Sequence, residues 1–160
     1  GMAKCIDEHT NVDGNVAILY ADLDNFKYYN DNFGHEVGDL VLIEFAKIFK
    51  DVTKDKGFAV RYGGDEFLVI IYDTDKEEVG KVVEDIYYRI REGFVDLVSD
   101  NVGEKVSIEK SNLVTCSIGI DIEDNSDYDS VTDALAKADK ALYHMKNTGK
   151  GGYISYDDMP

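Results

Sequence analysis

Two acidic pairs frame the chemistry open to this chain. Asp22 and Asp24 close the apolar run that starts at Val16, and Asp65 and Glu66 follow Gly63-Gly64 directly. Side chains alternate along a strand, so Asp22 and Asp24 are expected to share one face. Carboxylates at the end of a buried strand suit a hard cation such as Mg²⁺, which prefers oxygen ligands. A plain solvated strand end reads the same way from these two residues alone. Gly63 and Gly64 permit positive φ and let a ligand approach the backbone. Two adjacent acids on such a turn repel each other and add little to a hairpin. A cation shared with Asp22 would account for them, and an exposed acidic hairpin is the alternative.

Elements must bring these acids together. Val16–Leu23 is predicted as a buried strand and Asp39–Asp51 as a helix, with Leu40, Ile43, Ala46 and Phe49 at helical spacing. Phe58–Tyr62 and Glu66–Tyr72 read as a hairpin around Gly63-Gly64-Asp65. Asp75–Gly93 and Ser130–Lys146 are amphipathic helices. Asp96–Lys105 reads as a polar connection, and Val106–Ile108, Leu113–Ile122 and Tyr153–Tyr156 as strands. This order predicts an α+β fold, a central antiparallel-dominated sheet flanked by helices.

Composition narrows the partners. Of 160 residues, 17 are Lys or Arg and 33 Asp or Glu, a net charge of −16, which argues against nucleic acid and anionic membranes. At 44% hydrophobic and 31% charged, the chain is ordinary for one globular domain, here taken as residues 2–160. No apolar run reaches the length of a membrane span. Cys5 and Cys116 have neither metal-ligand nor disulfide-framework spacing and read as reduced thiols of a cytoplasmic protein.

Arg61-Tyr62-Gly63-Gly64-Asp65-Glu66-Phe67 resembles the RYGGDEF signature of the GGDEF family of diguanylate cyclases. The block Ala21–Asp39, Ser117-Ile118-Gly119 and Ala138–Gly149 resemble that family's other blocks, in order and across nearly the whole chain. The resemblance implies the nucleotidyl cyclase or polymerase palm (ferredoxin-like) fold. It also implies condensation of two GTP into cyclic di-GMP and two pyrophosphate across a homodimer, with Mg²⁺ or Mn²⁺. Asp22, the Leu23 carbonyl and Asp65 would hold the metal, with Glu66 beside them for a second one and Asp24 as a structural hydrogen-bond acceptor. Asn30 and Asp39 would read guanine, and Lys27, Lys146 and Lys150 would face phosphates near Gly63 and Gly64. Lys150 replaces a common arginine, keeping the charge and losing the bidentate fork. His35 is expected to be structural.

The family assigns the general base to Asp65. A metal-bound carboxylate is a poor base, so Glu66 or solvent is the alternative acceptor. The family's Arg-x-x-Asp product-inhibition positions are Lys54 and Gly57 here, so that site is expected to be absent. Its N-terminal Leu-Thr-x-Leu-x-Asn-Arg segment is also missing, which suggests a piece of a larger signalling protein with a sensory domain and, in full length, an optional membrane anchor. The rival readings are a catalytically inactive GTP-binding regulatory module and a related nucleotidyl cyclase. For Asp39 alone, the competing reading is a helix N-cap.

Overall fold

The computed structural model describes residues 15–124 and 131–160. Cys5 and Ser130 lie outside them. Five strands form one sheet: β1 (Asn15–Asp24), β2 (Gly57–Arg61), β3 (Glu66–Thr74), β4 (Thr115–Asp124) and β5 (Tyr153–Ser155). Their order is β2-β3-β1-β4-β5. β1 is central and antiparallel to β3 and β4, β2 is antiparallel to β3, and only the β4–β5 pairing is parallel. The sheet is therefore antiparallel-dominated, as the sequence predicts. Four helices accompany it among the described residues: α1 (Phe26–Phe33), α2 (His35–Thr53), α3 (Lys76–Val102) and α4 (Val131–Asn147). None is long and apolar enough to cross a membrane.

Strand alternation divides the core. Ala17, Leu19, Ala21 and Leu23 of β1 pack with Phe67, Val69 and Ile71 of β3 against α1, α2 and α3. Val16, Ile18 and Tyr20 pack with Leu68 and Ile70 against Ala134, Ala138 and Leu142 of α4. Asp22 and Asp24, two and four residues beyond Tyr20, thus point to the α4 side. At Gly119 a Cβ would collide with the Ala138 carbonyl and the Leu142 backbone, so a glycine there lets α4 lie close on β4.

Several expected boundaries are corrected. α1 is an addition to the elements that the sequence predicts: eight residues rich in Asn, Asp and Tyr make a weak helical pattern, yet Tyr29 is buried and the Tyr29–Phe33 rings pack at 5.8 Å. α2 begins at His35, not Asp39, because Gly34 at φ 89 supplies the chain reversal before it. Most of the expected Asp96–Lys105 connection is helical. Phe94 and Val98 continue the buried face of Ile86 and Ile90, and α3 stops only at Gly103, a left-handed C-cap at φ 77. Val106–Ile108 is not a strand. The Val106 amide bonds the Ser99 side chain at 3.0 Å.

Candidate active site

The β1–β3 register carries the site. It sets Asp22, two residues before the end of β1, directly opposite Glu66, the first residue of β3. The turn before β3 is tied to β1 by a backbone bond from Leu23 N–H to the Asp65 carbonyl at 3.0 Å. Asp22, Asp65 and Glu66 therefore gather at one end of the central strands.

The hairpin is pinned by a residue outside the expected site. The Arg61 guanidinium donates to the Gly63 carbonyl at 3.2 Å and to the Gly64 carbonyl at 3.1 and 2.7 Å. Neither Gly63 nor Gly64 has positive φ, so the turn does not use the conformational freedom that they permit. Gly63 serves by leaving space, since a Cβ there would stand 2.8 Å from Glu66 Oε2, whereas Gly64 faces open space.

Asp22 and Asp24 point the same way and have different surroundings. Asp24 is only 3% exposed. Its Oδ2 accepts from Ser117 Oγ at 2.6 Å and the Gly151 amide at 3.0 Å, and its Oδ1 accepts from Lys146 Nζ at 2.6 Å. It knots β1, β4, α4 and the loop after α4 together. Asp22 is half-buried, with Lys146 Nζ 3.6 Å from its Oδ2. Burial pushes its carboxyl up to about 6; Lys146 opposes this, while the charges of Asp65, Glu66 and Asp24 add to it.

Lys146 Nζ also donates to the Leu23 carbonyl at 3.3 Å. One ammonium thus sits between two of the expected metal ligands, so these oxygens already accept a cation. Among the described residues no three His, Cys, Asp or Glu side chains form a ready metal cage. Mg²⁺ characteristically takes one or two carboxylates and fills its shell with water and substrate phosphates, and Asp22, the Leu23 carbonyl and Asp65 or Glu66 fit that habit.

Lys27 is 88% exposed and paired with Asp31 at 2.7 Å on α1. Lys150 is exposed in the loop after α4, at φ 59 between Gly149 and Gly151. Asn30 stands over Gly38, where a Cβ would strike its Oδ1, so Asn30 lies beside the residue preceding Asp39. Asp39 is exposed in the second turn of α2, five residues past the Gly34 cap, which removes the N-cap reading. His35 opens α2 and is exposed. Asn25, at φ 69, turns the chain from β1 into α1 and bonds the Ser111 and Leu113 carbonyls at 3.0 and 2.9 Å. Its position straight after Asp24 is a legible signal, since Asn tolerates the left-handed region.

The family model for the diguanylate cyclase GGDEF domain matches residues 2–152. The chain belongs to the GGDEF family. It is 38% identical over 146 residues to diguanylate cyclase A of Treponema denticola, covering 91% of this chain and 36% of that protein. It is 33% identical over 141 residues to a diguanylate cyclase of Vibrio cholerae, covering 88% of this chain and 40% of that one. It spans less than half the length of these curated relatives. Among solved structures, the active GGEEF domain of a Vibrio cholerae diguanylate cyclase superposes with a TM-score of 0.73 at 28% identity, covering 97% of this chain and 90% of that one. The GGDEF domain of PA1120 from Pseudomonas aeruginosa gives 0.77 at 25%, covering 97% and 84%. The GGDEF fold, a five-stranded sheet flanked by helices, is the one seen here.

Proposed function

We propose that this GGDEF domain is an active diguanylate cyclase that condenses two GTP into cyclic di-GMP and two pyrophosphate. The observation that carries the reading is the convergence at one strand end. Asp22 faces Glu66, the Asp65 carbonyl is locked to Leu23, and Lys146 bridges Asp22 and the Leu23 carbonyl. An inactive regulatory module would have no need for three mutually repelling acids at that spot, and Asp22, Asp65 and Glu66 are all present.

Asp22, the Leu23 carbonyl and Asp65 would hold Mg²⁺ or Mn²⁺, with Glu66 beside them. When bound, the metal neutralises phosphate charge and lowers the pKa of the attacking hydroxyl. The 3′-hydroxyl of one GTP attacks the α-phosphorus of the other, and the bond to the β-phosphate bridging oxygen breaks. Pyrophosphate leaves, and the proton passes to solvent, or to Glu66 where that carboxylate carries no metal. A second, reciprocal attack closes the ring. The protein's task is placement and charge balance. Lys146, with Lys27 and Lys150, would meet phosphates, and Asn30 and Asp39 would read guanine. The chain has one such set, and the product needs two facing nucleotides, so catalysis calls for a homodimer. The greater length of the relatives supports fusion of this single domain, residues 2–160, to a sensory domain. Its substrate supports a cytoplasmic site of action.

Incubation with GTP and Mg²⁺ tests the reading. Pyrophosphate and cyclic di-GMP are expected, at a specific activity that rises with protein concentration, and both should vanish in Asp65→Ala with the fold retained. Unchanged turnover in Asp65→Ala would overturn it.

A further inference from the structure

Tyr20 lies beneath the acids on the α4 face of β1. Register sets Asp22 opposite Glu66 and Tyr20 opposite Leu68, so Tyr20 is diagonal to Glu66, a separation that a long side chain can bridge. Its hydroxyl donates to Glu66 Oε2 at 3.0 Å. The ring is 7% exposed, set among aliphatic side chains, and meets the Tyr62 ring edge-on at 5.7 Å. Gly63 leaves room for the same Oε2, which a Cβ there would meet at 2.8 Å. A phenol keeps its proton at neutral pH, so the hydroxyl is the donor and the carboxylate the acceptor.

The other buried residues of this part of the core are Val, Ile, Leu and Ala, with Phe58 and Tyr72 half-buried against it. Packing alone would be served by phenylalanine, which brings no hydroxyl to satisfy. The oxygen instead meets one of the signature acids. Resting on the cyclase reading, we propose that Tyr20 is a positioning residue for Glu66. Its hydroxyl fixes Oε2 and reserves Oε1 for the divalent cation. Partners that orient a metal-binding carboxylate typically matter about tenfold to a hundredfold in metal affinity or activity.

The test is Mn²⁺ titration followed by electron paramagnetic resonance. It uses the chain together with a GTP analogue bearing a methylene bridge between its α- and β-phosphorus atoms. Tyr20→Phe should bind Mn²⁺ about tenfold more weakly and lower kcat, with the KM for GTP little changed. Tyr20→Phe placed on Glu66→Gln should add nothing to the loss caused by Glu66→Gln alone. Parental Mn²⁺ affinity in Tyr20→Phe, additive losses in the double variant, or unfolding of Tyr20→Phe would each overturn the inference. A parent chain that binds Mn²⁺ but makes no cyclic di-GMP would sink the cyclase reading, while the titration still decides the role of Tyr20. A parent that binds no Mn²⁺ would sink both.

Discussion

Asp22→Asn should abolish metal-dependent turnover and yet stabilise the metal-free chain. Asp22 stands opposite Glu66 and beside Asp24 and Asp65, with Lys146 as its compensating charge at 3.6 Å. Its carboxyl is pushed from the ordinary 3.8 up to about 6, chiefly by burial. Each pKa unit is worth about 1.4 kcal/mol, so ionising Asp22 costs the folded state up to about 3 kcal/mol. That shift already includes the opposing attraction of Lys146; the side chain is 24% exposed, so solvent screening reduces the cost, and a net gain of about 1–2 kcal/mol is expected.

The sign follows from proton linkage. Between the unfolded and folded values the native state binds more protons, so this contribution to stability is lost as pH rises from about 4 through about 6. Asparagine does not titrate. The variant's advantage should therefore be small near pH 4 and complete above about pH 7. Buried Asp121, also pushed up by burial, acts in the same direction in both proteins and drops out of the difference. Urea denaturation across this range in a chelator measures it, and added Mg²⁺ should then stabilise the parent more than the variant. A variant no more stable than the parent at about pH 7.5, or an advantage that does not change with pH, would refute the reasoning.

Asp24→Ala should cost at least about 1–3 kcal/mol in chemical denaturation, because it removes the nearest partner of Lys146 and the acceptor for Ser117 and Gly151, leaving Asp22 and the Leu23 carbonyl to hold the ammonium. Gly57→Asp should destabilise by at least about 1–3 kcal/mol and create no product-feedback site, since a Cβ at Gly57 would strike the Ile70 carbonyl; calorimetry and cyclic di-GMP titration check the two halves. Asp39→Asn should leave stability within about 0.5 kcal/mol, as Asp39 lies past the start of α2, while discrimination for GTP over ATP falls about tenfold to a hundredfold in nucleotide titrations.

The parts of the site that are local in sequence were legible in it. Alternation along Val16–Asp24 puts Asp22 and Asp24 on one face, and the Gly63-Gly64 turn marks the hairpin whose register brings Glu66 to Asp22. Composition misled where polar residues interleave with a continuing stripe. Asp96–Lys105 looks like a connection, yet Leu97 and Val98 extend the apolar face of α3 to its glycine cap. The short α1 left too few turns to show a period. Arg61 lies within the signature itself, but its bonds to the Gly63 and Gly64 carbonyls depend on turn geometry that residue types do not specify.

What separates Asp22 from Asp24 lies beyond any local pattern. They are two residues apart, share one face, and are the same residue type. Asp24 meets Ser117 from β4, Gly151 from the loop after α4 and the closer approach of Lys146, so its oxygens are taken up in holding the fold. Asp22 meets Glu66 across the strand and Lys146 only at 3.6 Å, so its charge is less fully compensated within the fold and, on the proposed reading, is left for the divalent cation. Those partners come from 93 to 127 positions along the chain from Asp24. Only the close seating of α4 over Gly119 brings them to this strand end. The division of labour between the two aspartates is thus set by helix–sheet packing, and a substitution at Gly119 that lifts α4 would blur it without touching either acid.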